Sequence, residues 1–354
     1  MKIHFIISSL KGNGAERVLV KIADALVRKG FDISILTFND EEDYKLNNDI
    51  NRIRLHGGSF KNHTIRSIIN LIKYYRFKKN RPDIAISFIT QTSFISIIAA
   101  KLYGIKIIAS EHNSYLRNIM RTDLFTKKYV YRFADKLVVL TSFDLPYYRK
   151  YKANVMVIPN PCSFEPIENT NQNREKVILV VGDLNRYRVK GFDRILYILK
   201  PLFKKHPEWK LKILGKGDRG MKFLTEEIKK LDLNQNVELS GFKKNIHEIM
   251  QVSEIFALPS QYEGLPMVLI EAMSQGMACI AYDCVTGPRD IINDNVDGIL
   301  IEDQNETKMR EGLDELMSNP DLRNKLRQES IHSIERYDVE KVVTEWINLF
   351  DEIL

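Results

Sequence analysis

The chain has 354 residues, 44% of them hydrophobic and 28% charged, with a net charge of +7. That balance excludes a disordered, collagenous or disulfide-stapled chain, and the length exceeds one domain of ordinary size. The charge is uneven: residues 1–165 carry 27 Lys and Arg against 14 Asp and Glu, and residues 166–354 carry 26 against 32. A basic first half suits an anionic neighbour such as a lipid surface, a lipid-linked diphosphate or nucleic acid.

The opening MKIHFIISSLKGNG has too short an apolar run for a secretory signal. The greasiest stretch, Ile84 to Ala100, is interrupted by six Ser, Thr and Gln residues, short of the roughly 18–20 apolar residues of a membrane span. Cys162, Cys279 and Cys284 form no CxxC pair and read as free thiols in a reducing compartment. The expectation is a cytoplasmic chain without a transmembrane anchor.

In chain order, short apolar runs alternate with longer amphipathic ones, the pattern of serial β-α units around parallel sheets. The first strand, Lys2–Ser8, enters the turn Ser9-Leu10-Lys11-Gly12-Asn13-Gly14-Ala15-Glu16-Arg17 and a helix over Val18–Arg28. Glycines there let backbone N–H groups approach a phosphate at the positive end of a helix. As a dinucleotide fingerprint the turn fails, because Arg17 replaces the third glycine, although Asp40 stands where a ribose-binding acid would. A plain glycine turn is the alternative. Strands follow at Ile33–Thr37, Ile53–His56, Ile84–Phe88, Ile105–Ala109, Leu137–Leu140 and Val155–Ile158. Between them, Ile65–Lys79 has helical spacing, with Ile65, Ile68, Ile69, Ile72 and Tyr75 on one face and Arg66, Lys73, Arg76 and Lys79 around the rest. A basic amphipathic helix of this kind suits an anionic membrane. Ser110-Glu111-His112-Asn113 follows the strand Ile105–Ala109, and His112 can donate a hydrogen bond to a sugar hydroxyl or phosphate. A helix-capping cluster is the alternative.

Pro159-Asn160-Pro161 and the polar stretch Glu165–Lys176 read as a linker. The domains are then 1–165, 166–335 and a closing helix over 336–354. Second-domain strands are expected at Val177–Val181, Leu211–Leu214, Val237–Leu239, Ile255–Leu258, Cys279–Tyr282 and Ile299–Ile301. The tail Val339–Leu354 carries an apolar stripe, Val342, Val343, Trp346, Leu349 and Phe350, that needs a partner surface. The fold class is α/β, two Rossmann-like doubly wound domains whose facing strand ends would form a ligand cleft.

In Gly182–Gly191, Arg186, Arg188 and Lys190 precede a helix beginning at Phe192. Cations there suit a leaving diphosphate, whose charge grows as the bond to it breaks; a solvated basic loop is the alternative. Gly215-Lys216-Gly217 adds a second tight turn. In Pro259–Ala272, Glu263 lies in a strand-to-helix turn and Glu271 in a helix starting near Pro266. Eight residues is a little over two helical turns, so both carboxylates can point the same way. Glu271 stands among Met267, Val268, Leu269 and Ile270, and a buried acid needs a partner: two ribose hydroxyls or an ion pair would serve.

The ordered set of motifs resembles retaining glycosyltransferases of the two-domain B fold, notably glycosyltransferase family 4. Glu263 and Glu271 within EGLPMVLIEAM resemble the family's E-x7-E motif. NGAERV at 13–18 is similar to its GGAERV, and SEHN at 110–113, Lys190-Gly191, Thr286–Ile292 and Asp297-Gly298 match in order. The resemblance covers nearly the whole chain and is nearest in flavour to bacterial enzymes that extend lipid-linked oligosaccharides, capsule or O-antigen. It implies transfer of a hexose or N-acetylhexosamine from a nucleotide-diphosphate sugar, with UDP preferred, to a lipid-linked or glycan acceptor at the inner membrane face. It implies no metal, no other cofactor and no nucleic-acid partner. By the same resemblance the Gly14 backbone and Lys190 meet the diphosphate, and Glu271 holds the ribose. Glu263 with the Gly264 and Leu265 amides meets sugar and phosphate, and His112 meets the sugar. The base lies near Gly241, Phe242, Lys243 and Ile246, and Gly215 is on the donor rim. The chain departs from the family at Asn13, at Asp183 (an arginine in the family) and in a loop before Lys190 about two residues longer. Arg186 or Arg188 is then the substitute cation, or Asp183 turns aside. Competing readings are a nucleotide-sugar epimerase of the same fold, an NAD-dependent oxidoreductase using Gly12, Gly14 and Asp40, and a catalytically silent ligand-binding protein.

Overall fold

The computed structural model of the chain describes residues 1–11, 14–39, 46–117, 120–168 and 173–354. They form two compact units, Met1–Pro161 with Tyr337–Leu354, and Cys162–Arg336. The division falls ahead of residue 165. Cys162 is already buried, the Ile167 N–H donates to the Ser274 carbonyl, and the Gln275 amide donates to the Glu165 carbonyl, which fastens this stretch to the second unit.

The first unit is built on β1 (Lys2–Ile7), β2 (Asp32–Thr37), β3 (Asn51–Arg54), β4 (Ile84–Phe88), β5 (Lys106–Glu111), β6 (Lys136–Val139) and β7 (Val155–Val157). They pair in parallel in the order β3-β2-β1-β4-β5-β6-β7. Strands covered on both faces must be apolar on both. Ile3, Phe5 and Ile7 accordingly enter the core with α1 (Gly14–Arg28), while Ile6, Ala85 and Ile107 enter the one with α2 (His63–Tyr75) and α3 (Thr90–Leu102). Two short helices follow, α4 (Arg121–Phe125) and α5 (Leu145–Lys150).

Helix α2 departs from its sequence reading at its two ends. It ends at Tyr75, and its buried face is Ser67, Leu71 and Tyr75, which leaves Ile65 exposed. Ile68, Ile72 and Tyr75 of the expected face pack on the core, and the buried Tyr75 hydroxyl lies 3.1 Å from His4 Nδ1 on β1.

The second unit holds β8 (Glu175–Val181), β9 (Lys210–Leu214), β10 (Val237–Gly241), β11 (Ser253–Leu258), β12 (Ala278–Tyr282) and β13 (Ile299–Ile301). The order β10-β9-β8-β11-β12-β13 is again all parallel. Around it lie α6 (Phe192–Lys205), α7 (Asp218–Lys230), α8 (Ile246–Val252), α9 (Met267–Ser274), α10 (Pro288–Ile291), α11 (Glu306–Ser318) and α12 (Pro320–Ser333). Every strand expected from the sequence is present in the two sheets. In each, strand order reverses between two central neighbours, β1 and β4 or β8 and β11, and ligands of open α/β sheets bind beyond the strand ends at such a point. All three cysteines are buried free thiols.

The last helix, α13 (Val339–Ile353), belongs to the first unit. Val342, Val343, Trp346, Leu349 and Phe350 are buried in one cluster with Ile3, Leu19 and Ile22. Truncating a buried tryptophan costs about 3–5 kcal/mol. Trp346→Ala should therefore lower the urea midpoint of the first unit and leave the second unit's transition in place; coincident, unchanged transitions in near-ultraviolet dichroism would contradict this assignment.

Candidate active site

The loops beyond β8 and β11 bring the second unit's charged residues together. After β8, Asp183 accepts a 2.9 Å hydrogen bond from the Asn185 N–H and so caps a 3-10 turn over Leu184–Arg186. The exposed Asp183 carboxylate is thus spent on its own loop. Gly191 follows with φ 68°, and a Cβ there would stand 2.0 Å from the Pro259 carbonyl oxygen. Only glycine lets the chain pass so close to the β11 loop, and the Gln261 N–H donating to the Val189 carbonyl ties the two loops.

This approach places Lys190 Nζ 2.7 and 3.0 Å from the two oxygens of Glu263. The side chains are 14% and 10% exposed, and removing one partner of a pair this sheltered costs about 3–5 kcal/mol. Ser260 Oγ donates to Glu263 Oε1 at 2.6 Å, and Thr286 Oγ1 donates to the Glu263 carbonyl. Thr286 and Gly287 have φ of 72° and 92°. A Cβ on Gly287 would lie 2.2 Å from the Gly264 carbonyl, so this turn is pressed onto the Glu263 loop. Asp297, buried, accepts from the Asn293 backbone and side chain, and its motif is thereby a brace for the chain that follows α10.

Glu263 lies before α9, while Glu271 is buried inside it. Helical spacing therefore does not relate the two acids. Leu265 is buried and Gly264 half-buried. Arg186 leans on Tyr262, its guanidinium 5.7 Å from the ring centre and Nη2 3.4 Å from the hydroxyl. Arg188 is exposed and rests on Tyr187 instead. The turns after β9 and β10 meet where Gly215 N–H donates to the Gly241 carbonyl. Phe242 is exposed, with Lys216 Nζ 4.3 Å from its ring centre, beside exposed Lys243 and half-buried Ile246. A concavity of about 620 Å³ lined by Phe164, His247, Gln251 and Gln275 shares no residue with this cluster.

In the first unit, Gly12, Asn13 and Asp40 lie outside the described residues. Gly14 opens α1, and a Cβ on it would meet nothing within 4 Å. His112 stacks on Phe88 with ring centres 4.7 Å apart, and its Nε2 lies 3.1 Å from Ser110 Oγ. Burial holds its pKa down to about 3, so the ring is neutral near pH 7. Glu111 is buried and accepts from Thr90 Oγ1, Tyr131 OH and the Asn113 N–H at 2.5, 2.7 and 3.0 Å. Lys127 projects from a π-turn, Thr126–Val130, and donates to the carbonyls of Ser114, Tyr115 and Arg117. Its burial lowers its pKa. Asp144 takes the Tyr115 N–H at 2.9 Å. The His112 loop is therefore fixed by three buried charged groups on separate elements.

Sequence reasoning missed Lys127, Thr90 and Tyr131, gave no role of their own to Ser260, Tyr262 and Thr286 within its motifs, and missed Ile89, a β-branched residue with φ 73° at the tip of β4. Thr90 and Ser260, both just past strand ends, carried a legible signal; the others pair across the chain and carried none.

Two family models divide the sequence. Glycosyltransferase Family 4 matches residues 12–165, and Glycosyl transferases group 1 matches residues 164–333. An uncharacterized glycosyltransferase of Haemophilus influenzae is 31% identical, over 98% of both chains. A Campylobacter jejuni enzyme, GalNAc-α-(1→4)-GalNAc-α-(1→3)-diNAcBac-PP-undecaprenol α-1,4-N-acetyl-D-galactosaminyltransferase, is 30% identical, over 100% of this chain and 99% of its own. The lipopolysaccharide outer core galactosyltransferase WaaB shares the fold, with a TM-score of 0.80 at 21% identity and full coverage of both chains. None of these relatives supports an epimerase or an oxidoreductase. The chain belongs to this glycosyltransferase family.

His4, buried and beside Lys2, is held to about 3 like His112. An unfolded imidazole titrates near 6.5, so between about pH 6.5 and 3 the unfolded chain binds protons that the folded one refuses. Unfolding free energy should fall as pH drops through that window and stay level with respect to these groups above it. Proton NMR should find His112 not titrating between roughly pH 8 and 5, and a titration near 6.5 would contradict the desolvated, neutral ring.

Proposed function

We propose that this glycosyltransferase acts with retention and without a metal, moving a hexose or N-acetylhexosamine from a nucleotide-diphosphate sugar, UDP preferred, to a lipid-linked or glycan acceptor. The setting is bacterial surface polysaccharide synthesis at the inner membrane face. The observation that carries the donor assignment is the Lys190–Glu263–Ser260 cluster, beyond the strand ends where the second sheet reverses its order.

A diphosphate arriving there offers Lys190 an anion with more charge than one carboxylate, and Lys190 can exchange Glu263 for it. Arg186, held at Tyr262 beside Glu263, is the second cation and takes the place of the family arginine missing at Asp183. Glu263, released, turns to the sugar hydroxyls, with the Gly264 and Leu265 N–H groups toward phosphate. Glu271 accepts from the ribose hydroxyls. Phe242, an exposed ring already attracting a cation, gives the base a stacking face near Lys243 and Ile246. In the first unit, neutral His112 donates to a sugar hydroxyl, and the Gly14 backbone is free of steric crowding for a phosphate.

In the reaction the bond from the anomeric carbon to the phosphate oxygen breaks, and the electron pair leaves with the nucleoside diphosphate. Lys190 and Arg186 neutralise that charge. The acceptor hydroxyl attacks from the same face, and its proton passes to the departing phosphate oxygen. The Campylobacter relative, whose name carries an undecaprenol diphosphate acceptor and an α linkage, supports this choice of acceptor class.

The test is calorimetry with UDP-, GDP- and ADP-sugars in EDTA. One nucleotide sugar should bind. A hydrogen bond to a charged group contributes about 1.5–3 kcal/mol, so Lys190→Ala should weaken the nucleoside diphosphate roughly tenfold to hundredfold and the free nucleoside hardly at all. Glu271→Ala should weaken both, and NMR of the product should show the donor's anomeric configuration preserved. Equal binding by both variants and the native chain would remove the donor assignment.

A further inference from the structure

Within the first unit, the described residues of the segment between the His112 loop and β6, 116, 117 and 120–133, include six large apolar side chains exposed to solvent. Phe125, Tyr129 and Phe133 are 52%, 50% and 59% exposed, and Leu116, Met120 and Leu124 are exposed beside them. Phe125 and Tyr129 lie with ring centres 5.5 Å apart. Exposed apolar groups at this density mark a surface that is covered in use.

The charge on the segment says what covers it. Arg117, Arg121 and Arg132 are exposed on the same segment, and Lys128 rests over Tyr151. The segment's one acid, Asp123, is buried and accepts from the Met120 N–H, so no carboxylate of 116–133 faces outward. Arginines interleaved with aromatic and aliphatic side chains fit the interface of an anionic bilayer, where rings enter the headgroup boundary and cations meet lipid phosphate. Helix α2 fits less well. Its exposed Lys73 and Arg76 supply charge, but Leu71 and Tyr75 are turned into the core.

We propose that residues 116, 117 and 120–133 form the docking surface by which this protein sits on an anionic phospholipid bilayer. The proposal rests on the membrane setting given above and assigns it a place. Docking is mechanically continuous with the sugar-side motif. Arg117 Nη1 donates to Asn113 Oδ1 at 2.8 Å, and Lys127 donates to the carbonyls of Ser114, Tyr115 and Arg117. A bilayer pressing on this segment thus meets a loop already rigid up to His112, one able to present a lipid-linked acceptor at the bilayer surface.

The experiment is co-sedimentation of the full chain with vesicles of phosphatidylglycerol and phosphatidylcholine, against pure phosphatidylcholine. Native protein should partition to the anionic vesicles and be released by salt. Each surface arginine contributes roughly fivefold, so Arg121→Glu with Arg132→Glu should lower the partition coefficient at least about twentyfold. Phe125→Ser, Tyr129→Ser and Phe133→Ser together should abolish binding that survives high salt. Hydrolysis of the sugar nucleotide without lipid is measured on the same samples and should be unchanged, which separates failure of this surface from failure of the donor assignment. Unchanged partitioning of both variants would overturn the proposal. So would loss of binding only on replacing Lys73, Arg76, Lys78 and Lys79. A shift in light-scattering mass with vesicle binding intact would make the face a contact between copies and also overturn it.

Discussion

A parallel strand must be followed by a crossover, so every β-to-α turn of a parallel sheet opens on the same edge. Both units obey that constraint, and nearly all their chemically interesting groups follow from it. Ile89 and Thr90 stand at the tip of β4 and the His112 loop at the tip of β5. The Lys190 and Glu263 loops stand at the tips of β8 and β11. Because β8 and β11 are neighbours in the sheet, two loops seventy-odd residues apart in sequence become adjacent without any other device. Glycine refines what topology begins. Gly191, Gly215 and Gly220 each lie where an added Cβ would collide with a backbone oxygen of a neighbouring loop.

The two units hold charge in different ways. In the first, Glu111, Lys127 and Asp144 are buried and satisfied by hydrogen bonds, with the job of keeping the backbone before and after His112 in one shape. In the second, Lys190 and Glu263 are only just sheltered and face each other. A pair like that is poised between neutralising itself and neutralising something else. Framing an imidazole by buried groups and pairing a cation with a carboxylate are two ways of holding a polar group in one geometry.

How much of this was legible in the sequence follows from the range of each interaction. Strands were legible because runs such as Ile84–Phe88 must be apolar on both faces of a covered sheet. Lys190, Glu263 and Glu271 were legible because loop glycines and a buried acid leave local marks. The exposure of Ile65 was not, since periodicity places it with Ile68, Ile72 and Tyr75, which do pack on the core. Nor was Lys127, which reads as one more lysine in a basic stretch until the π-turn carries it inward. The role of Asp183 was ambiguous from composition, and a single hydrogen bond to Asn185 resolves it as a turn cap. Arg186 and Arg188 look equivalent in the sequence and differ only in which tyrosine each meets.

Helix α13 has a consequence for how the molecule is made. A ribosome delivers residues 1–161 first, but the layer that closes over Ile3 and Leu19 is encoded after the whole of the second unit. The second unit is continuous in sequence, whereas the first must wait with an apolar flank uncovered until Trp346 emerges. The nascent first unit is therefore a stage at which a chaperone would have something to hold.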